Sequence, residues 1–240
     1  MRRMRHMKPR EIQSCYLALD ASIASSLYDA TSGGSLVAAD GAVARWEDQS
    51  GNARHATQST SAYRPLRKST IMNIGALQFD GVDDQVTFTG SGSDPNTLIA
   101  VCKWDDPGQT GTRGIIAFGD VNQANGGMLL MQPSTGAQIG SFSGSLSYST
   151  YTPSSAAFAA ALVDAGQGTH DYFVNCKPEG VGVSGNPVGQ FQNHVGGAHD
   201  TPKQSTKMSV GLAVIYSIAL SNYMVRRALE SGMRKWRISG

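Results

Sequence analysis

Residues 46–84 constrain this chain more than any other stretch. The stretch opens with W-E-D-Q-S-G-N (46–52) and closes with F-D-G-V-D-D (79–84). Each end joins an apolar residue to a tight polar turn. Trp46 and Phe79 read as residues buried in strands. Asp48, Ser50, Gly51 and Asn52 have turn chemistry, because short polar side chains bond the local backbone and Gly accepts positive φ. Asp80 to Asp84 repeats that chemistry, with Gly81 as the pivot. The two corners predict strand ends of an all-β sandwich, and neither has the form of a catalytic motif.

The rest of the chain agrees with that reading. A length of 240 residues suits one large β domain or two small ones, the absence of a linker-like segment favours one, and 28 glycines punctuate short apolar runs. Residues 15–20 (C-Y-L-A-L-D) read as a first strand. Residues 97–104 (T-L-I-A-V-C-K-W) are nearly all apolar, as expected of a strand in the middle of a sheet. Residues 156–163 are apolar enough for either strand or helix. Residues 172–175 run into K-P-E-G, which predicts a turn, and residues 189–199 read as a Gly-rich loop. Residues 208–216 form a long final strand. Ser221 is then a good N-cap. Met224, Val225, Ala228, Leu229, Met233 and Trp236 follow at helical spacing, and Gly232 weakens that helix by ~1 kcal/mol. The expected organisation is a basic arm over 1–14, a sandwich over 15–220 and a helix over 221–240 packed on it.

Charge is uneven. Residues 1–10 carry five Lys or Arg and no acid, and residues 203–240 carry seven Lys or Arg and one acid, Glu230. The whole chain is at +2, so the body between the ends is acidic. Basic ends on an acidic body suggest docking onto something negative. The candidate docking residues are Arg2, Arg3, Arg5, Lys8 and Arg10 with Arg226, Arg227, Arg234, Lys235 and Arg237; the competing reading is a solvated tail and an ordinary helix face. Cys15, Cys102 and Cys176 have no metal-ligand spacing and read as buried free thiols. No apolar run reaches the ~18 residues of a membrane helix. The basic start is not followed by an apolar core, so no secretion signal is expected. No nucleic-acid motif is visible.

Several pieces, taken in order, resemble the concanavalin A-like lectin/glucanase superfamily in its laminin G-like branch. They are L-A-L-D-A (17–21), W-E-D-Q-S-G-N-A-R-H-A-T-Q (46–58), R-P (64–65) and L-Q-F-D-G-V-D-D (77–84). Y-F-V-N (172–175), V-G-G (195–197) and A-V-I-Y-S-I-A-L-S (213–221) come later. The resemblance implies a two-sheet antiparallel jelly-roll sandwich, here with a C-terminal amphipathic helix. Such domains occur in glycan-binding modules, adhesins, glycosidases and bacteriophage structural proteins, so fold alone does not select function.

Glycoside hydrolysis needs two carboxylates flanking the bond. The glucanase branch carries them as E-x-D-x-E on one strand. This chain has four Glu (Glu11, Glu47, Glu179, Glu230), none with a second carboxylate two residues away on its strand. The expectation is therefore that the chain is not an enzyme. Calcium is the candidate metal, with hard oxygen ligands at Asp48, Asn52, Asp80, Asp83 and Asp84; the alternative is that these side chains cap turns. Glycan contact would use exposed aromatics, with Trp104, Tyr148 and Tyr151 the candidates and Trp104 expected to be half-exposed at a strand end. The leading functional expectation is a non-catalytic structural or surface protein of a larger assembly. A bacteriophage virion decoration or fibre protein fits best, with other virion proteins, its own copies or surface polysaccharide as partners and the virion surface as its location. A free-standing carbohydrate-binding module is the alternative, and a glycoside hydrolase the third reading.

Overall fold

The computed structural model describes residues 12, 14–90, 96–106, 113–119, 126–132, 138–142, 146–148, 156–164, 170–181, 193–197 and 207–239. They form two antiparallel sheets and one α-helix, the expected all-β sandwich. The first sheet orders β15 (Lys177–Val181), β14 (His170–Val174), β13 (Ala157–Asp164), β8 (Asn96–Trp104), β17 (Lys207–Tyr216), β6 (Ala76–Asp80) and β5 (Leu66–Lys68). One edge of β17 follows β8; its other edge is shared, with β6 along Lys207 to Val210 and β1 (Cys15–Asp20) along Leu212 to Tyr216. The second sheet orders β12 (Leu146–Tyr148), β11 (Gln138–Phe142), β10 (Gly126–Gln132), β9 (Arg113–Gly119), β16 (His194–Val195), β7 (Val86–Thr87), β4 (Ala56–Thr57), β3 (Arg45–Trp46) and β2 (Leu27–Tyr28).

Two apolar layers hold these elements. Between the sheets lie Leu17, Leu19, Trp46, Phe79, Leu98, Trp104, Phe118, Phe158 and Ile215, all fully buried. On the opposite face of the first sheet lie Ala18, Ile99, Val101, Leu212 and Val214, covered by Val225, Ala228, Leu229, Met233 and Trp236 of α1 (Asn222–Trp236). Strands β8 and β17 are buried on both faces for this reason, which explains their apolar runs over 98–102 and 210–216. The helix starts as expected: the Ser221 hydroxyl accepts the Met224 N–H at 3.5 Å. Each apolar side chain it buries stabilises by about 1.5–3 kcal/mol. Gly232 is not only a weak helix residue. A Cβ there would lie 2.7 Å from Val101 Cγ2, so its absence lets the helix approach the sheet.

Three local readings need correction. K-P-E-G is not a turn. The turn is Asn175–Cys176, with φ of 46° and 68°, and Lys177 to Gly180 belongs to β15. Among the described residues that strand is an edge, where Pro178 interrupts no ladder bond to a further neighbour. The stretch read as a Gly-rich loop contains β16, which joins β7 to β9 and buries His194. Of the three thiols, Cys102 is buried but Cys15 and Cys176 are half-buried. The stretch 156–163, ambiguous in sequence, is strand from Ala157 onward, as part of β13 (Ala157–Asp164).

Candidate functional site

Helix α1 leaves a cleft of about 290 Å³ between its C-terminal half and the β1–β17 pair. Its floor follows from strand alternation. Leu17 and Leu19 point between the sheets, so Ala18 and Asp20 point outward, and they stand directly opposite Val214 and Leu212. Ser231 and Lys235 lie one helical turn apart on the other wall, with Gly232 and Trp236 beside them. Ile23 and Gln49 complete the lining. Space remains because Ala18, Ser231 and Gly232 are small.

Trp236 fixes the far end. Its Nε1–H donates to the Gly75 carbonyl at 3.2 Å, and its own carbonyl accepts from Asn73 Nδ2 at 2.9 Å. Gly211 makes room for the indole: a Cβ there would sit 2.4 Å from Trp236 Nε1. With the indole anchored, Lys235 Nζ lies 4.8 Å from its ring centroid and forms an ion pair with Asp20 across the cleft rim. The other oxygen of Asp20 accepts the Ser22 N–H and hydroxyl at 3.1 and 2.6 Å.

Gln49 reaches the rim because of the Asp48 corner. Asp48 Oδ1 accepts the N–H groups of Ala18 and Ser50 at 2.9 and 2.8 Å. Its Oδ2 accepts the Ser50 hydroxyl and the Arg54 N–H at 2.7 and 3.1 Å. The corner is thereby tied to β1, and the Gln49 N–H donates to Ala18 O at 2.7 Å. Asn52 Nδ2 donates to the carbonyls of Cys15 and Tyr16 at 2.9 and 3.1 Å. Asp48 and Asn52 are thus structural ties, and they do not join the other three expected calcium ligands.

Those three do converge. Carboxylate oxygens of Asp80, Asp83 and Asp84 lie within 4.8 Å of one another. Asp80 Oδ1 caps the turn, accepting the N–H groups of Val82, Asp83 and Asp84 at 2.8, 3.3 and 3.4 Å. Asp84 Oδ2 accepts the Asp80 N–H at 2.9 Å. Burial pushes the Asp84 carboxyl up to about 6; the Asp80 and Asp83 carboxylates add to the rise and the Asp80 N–H opposes it. Burial first, and then Asp80, also raises Asp83. The arrangement is a capped turn carrying excess negative charge.

Trp104 is not half-exposed. It is fully buried between the sheets, because β8 is flanked by β13 and β17 and Trp104 pairs with Met208. Tyr148 ends β12, but its side chain lies outside the described residues, as does Tyr151. The arm residues Arg2, Arg3, Arg5, Lys8 and Arg10 also lie outside them. Pairing of Cys15 with Tyr216 places the entry to β1 beside the exit of β17 towards α1. On the helix, Arg227 and Arg234 share Glu230 at 3.2 and 3.8 Å, Lys235 engages Asp20, and Arg226 and Arg237 are exposed. On the second sheet, Tyr28, Arg45, Thr57, Thr87 and His194 form one cross-strand row. Arg45 stacks on Tyr28 at 4.1 Å and pairs with Glu47 at 3.4 Å. Arg45 and His194 are buried, which leaves the half-exposed Tyr28, Thr57 and Thr87 of this row for contact. Burial also raises all three thiols, Cys15 to about 12, which suits inert cysteines.

Sequence reading missed Asp20, Gln49 and Ser231 as site residues. Asp20 ends an outward-facing strand position and Ser231 breaks the apolar stripe beside Gly232, but neither signal names a partner.

No family model matches the chain, and no curated protein matches it. Its fold is similar to several solved structures. An arabinofuranosidase complexed with arabinofuranosyl-α-1,2-xylobiose matches with TM-score 0.65 and 15% identity, over 94% of this chain and 64% of that one. Domain 4 of AbnA, a GH43 extracellular arabinanase from Geobacillus stearothermophilus in complex with arabinotriose, matches with TM-score 0.60 and 12% identity, over 90% and 98%. Trypanosoma rangeli sialidase, bound to 2,3-difluorosialic acid, matches with TM-score 0.58 and 13% identity, over 93% of this chain. The chain spans 33% of that sialidase's length. The shared feature is a β-sandwich found in carbohydrate-active proteins. The expectation that the chain is not an enzyme is corrected here, since glycoside hydrolases carry this fold. A missing E-x-D-x-E tests only carboxylates on one strand, and a sandwich also brings together acids that are distant in sequence. No helix among the described residues is long and apolar enough to cross a membrane.

Proposed function

We propose that this chain is a carbohydrate-binding β-sandwich that serves glycoside hydrolysis, with the α1 cleft as its sugar-contact site. The observation that carries the reading is the make-up of that cleft. An apolar floor of Ala18, Leu212 and Val214 lies under a rim with a carboxylate, an ammonium, an amide and a hydroxyl. Small-ligand sites combine apolar walls with a few convergent polar groups in this way, and a sugar ring offers apolar C–H faces with hydroxyl edges. The likeness to domain 4 of AbnA, over nearly the whole of that domain and with arabinotriose bound to it, supports the same reading. The laminin G-like branch rests on motif order. None of these likenesses concerns a virion, and the carbohydrate reading does not need one. Docking through the exposed cations of α1 is compatible with it, and added salt is expected to weaken any such docking.

The test is calorimetric titration with neutral and charged oligosaccharides. Saturable binding to at least one sugar is expected, and silence across a broad panel overturns the reading. New reducing ends in the same samples would place cleavage in this chain. Binding without them would assign it to the recognition part of a hydrolytic system.

A further inference from the structure

We infer that the α1 cleft selects a neutral, hydroxyl-rich sugar ring and rejects charged sugars, through the Asp20–Lys235 ion pair at its rim. The inference rests on the carbohydrate reading above and adds the ligand's chemical class. The cleft, at about 290 Å³, lies just below the range of small-ligand sites, roughly 300–1,000 Å³. It therefore suits about one ring with the ends of its neighbours, with the C–H face over Leu212 and the half-buried Ile23.

The two rim charges decide which ring. Asp20 and Lys235 are each other's partner, with side chains 15% and 38% exposed. A carboxylate sugar drawn to Lys235 is forced against Asp20, and an amino sugar drawn to Asp20 is forced against Lys235. Like charges at such distances suppress binding. A vicinal diol meets neither penalty. One hydroxyl donates to Asp20 Oδ2 while its neighbour accepts from Lys235 Nζ, so both charges keep partners. The Gln49 amide and the Ser231 hydroxyl can likewise both donate and accept. Because Lys235 is substantially exposed, the ion pair itself is weak and a diol can part it at little cost.

The experiment compares sugars of the same linkage that differ at one substituent per ring, neutral in one member and charged in the other, by calorimetry or ligand-observed NMR. One pair is α-1,4-galactotriose and α-1,4-trigalacturonate; the other is cellotriose and the glucosamine trimer of chitosan. The neutral member of at least one pair is expected to bind about tenfold or more tightly than its charged counterpart. Asp20→Asn keeps an acceptor for Ser22 and removes the negative charge, so it is expected to narrow the galactose-to-galacturonate preference. Lys235→Met is expected to narrow the cellotriose-to-chitosan preference. Equal binding of charged and neutral members by the intact protein overturns the inference, as do variants that leave both ratios unchanged. Ser231→Trp fills the mouth and is expected to abolish binding. If it melts normally and still binds neutral trisaccharides undiminished, the cleft assignment falls while the carbohydrate reading stands. If no trisaccharide binds the intact protein, the carbohydrate reading itself fails. Should Ser231→Trp not fold, the two rim variants, both at exposed or half-exposed positions, still decide the matter.

Discussion

The Asp48 corner and the Asp80 corner each follow a buried aromatic residue, Trp46 or Phe79, with a Gly-centred acidic turn. In the first, one carboxylate accepts four donors from three residues, Ala18 of β1 with Ser50 and Arg54 of the turn. In the second, three carboxylates crowd within 4.8 Å, and the buried Asp84 accepts one backbone N–H. Similar turn chemistry therefore yields a long-range tie at one corner and an electrostatic load at the other. The difference is set by the number of donors that the surrounding strands deliver to each carboxylate.

The largest expected effect tests the tie. Asp48→Ala removes four hydrogen bonds and leaves the buried Ala18 N–H without its acceptor. At about 1 kcal/mol per bond, the loss should be about 3–5 kcal/mol. Chemical denaturation measures it, and a loss under about 1 kcal/mol would break the comparison. The same variant frees Gln49 from the rim, so sugar affinity measured below its melting temperature should also fall.

The second test concerns the load, and its sign is opposite. Asp84 has a folded value raised to about 6 from 3.8. A raised acid favours the folded state while both states are protonated; that stability is lost as pH rises from about 4 through 6. A rise of that size corresponds to an upper bound of about 3 kcal/mol. Asp84→Asn retains an acceptor for the Asp80 N–H and removes a charge. Solvent at the corner screens part of the repulsion, so the variant should raise stability at pH 7 by about 1–2 kcal/mol. It should also flatten the slope of stability between pH 4 and 6. Thermal melts across that range read both outcomes, and destabilisation at pH 7 would contradict the load.

The smallest effect concerns calcium. Asp80 Oδ1 and Asp84 Oδ2 are already occupied by backbone N–H groups. Millimolar calcium should therefore shift the melting temperature by no more than about 1 °C, whereas an ion at a hundredfold excess over its dissociation constant would add about 2.7 kcal/mol. A shift of several degrees that Asp83→Asn abolishes would turn the load into a metal site.

Much of the fold was legible because its signals are local. The bounds of β1, the Ser221 cap, the apolar stripe of α1 and the two acidic turns all follow from residues within one or two turns of each other. The candidate site was hardly legible. Asp20 and Lys235 are 215 residues apart and meet only because β1 pairs with β17 and Trp236 is pinned by Gly75 and Asn73. Trp104 looks like a strand-end aromatic, and only the neighbours of β8 decide that it is buried. K-P-E-G has turn composition, yet Pro178 sits in an edge strand because the two preceding residues have already reversed the chain. Periodicity and turn chemistry by themselves determined β1, the two acidic corners and the C-terminal helix, since each depends on a residue and its near neighbours. Tertiary structure decided which side chains share a cleft, which carboxylates find donors and which aromatics see solvent, because strand pairing and helix docking set those distances and composition does not encode them.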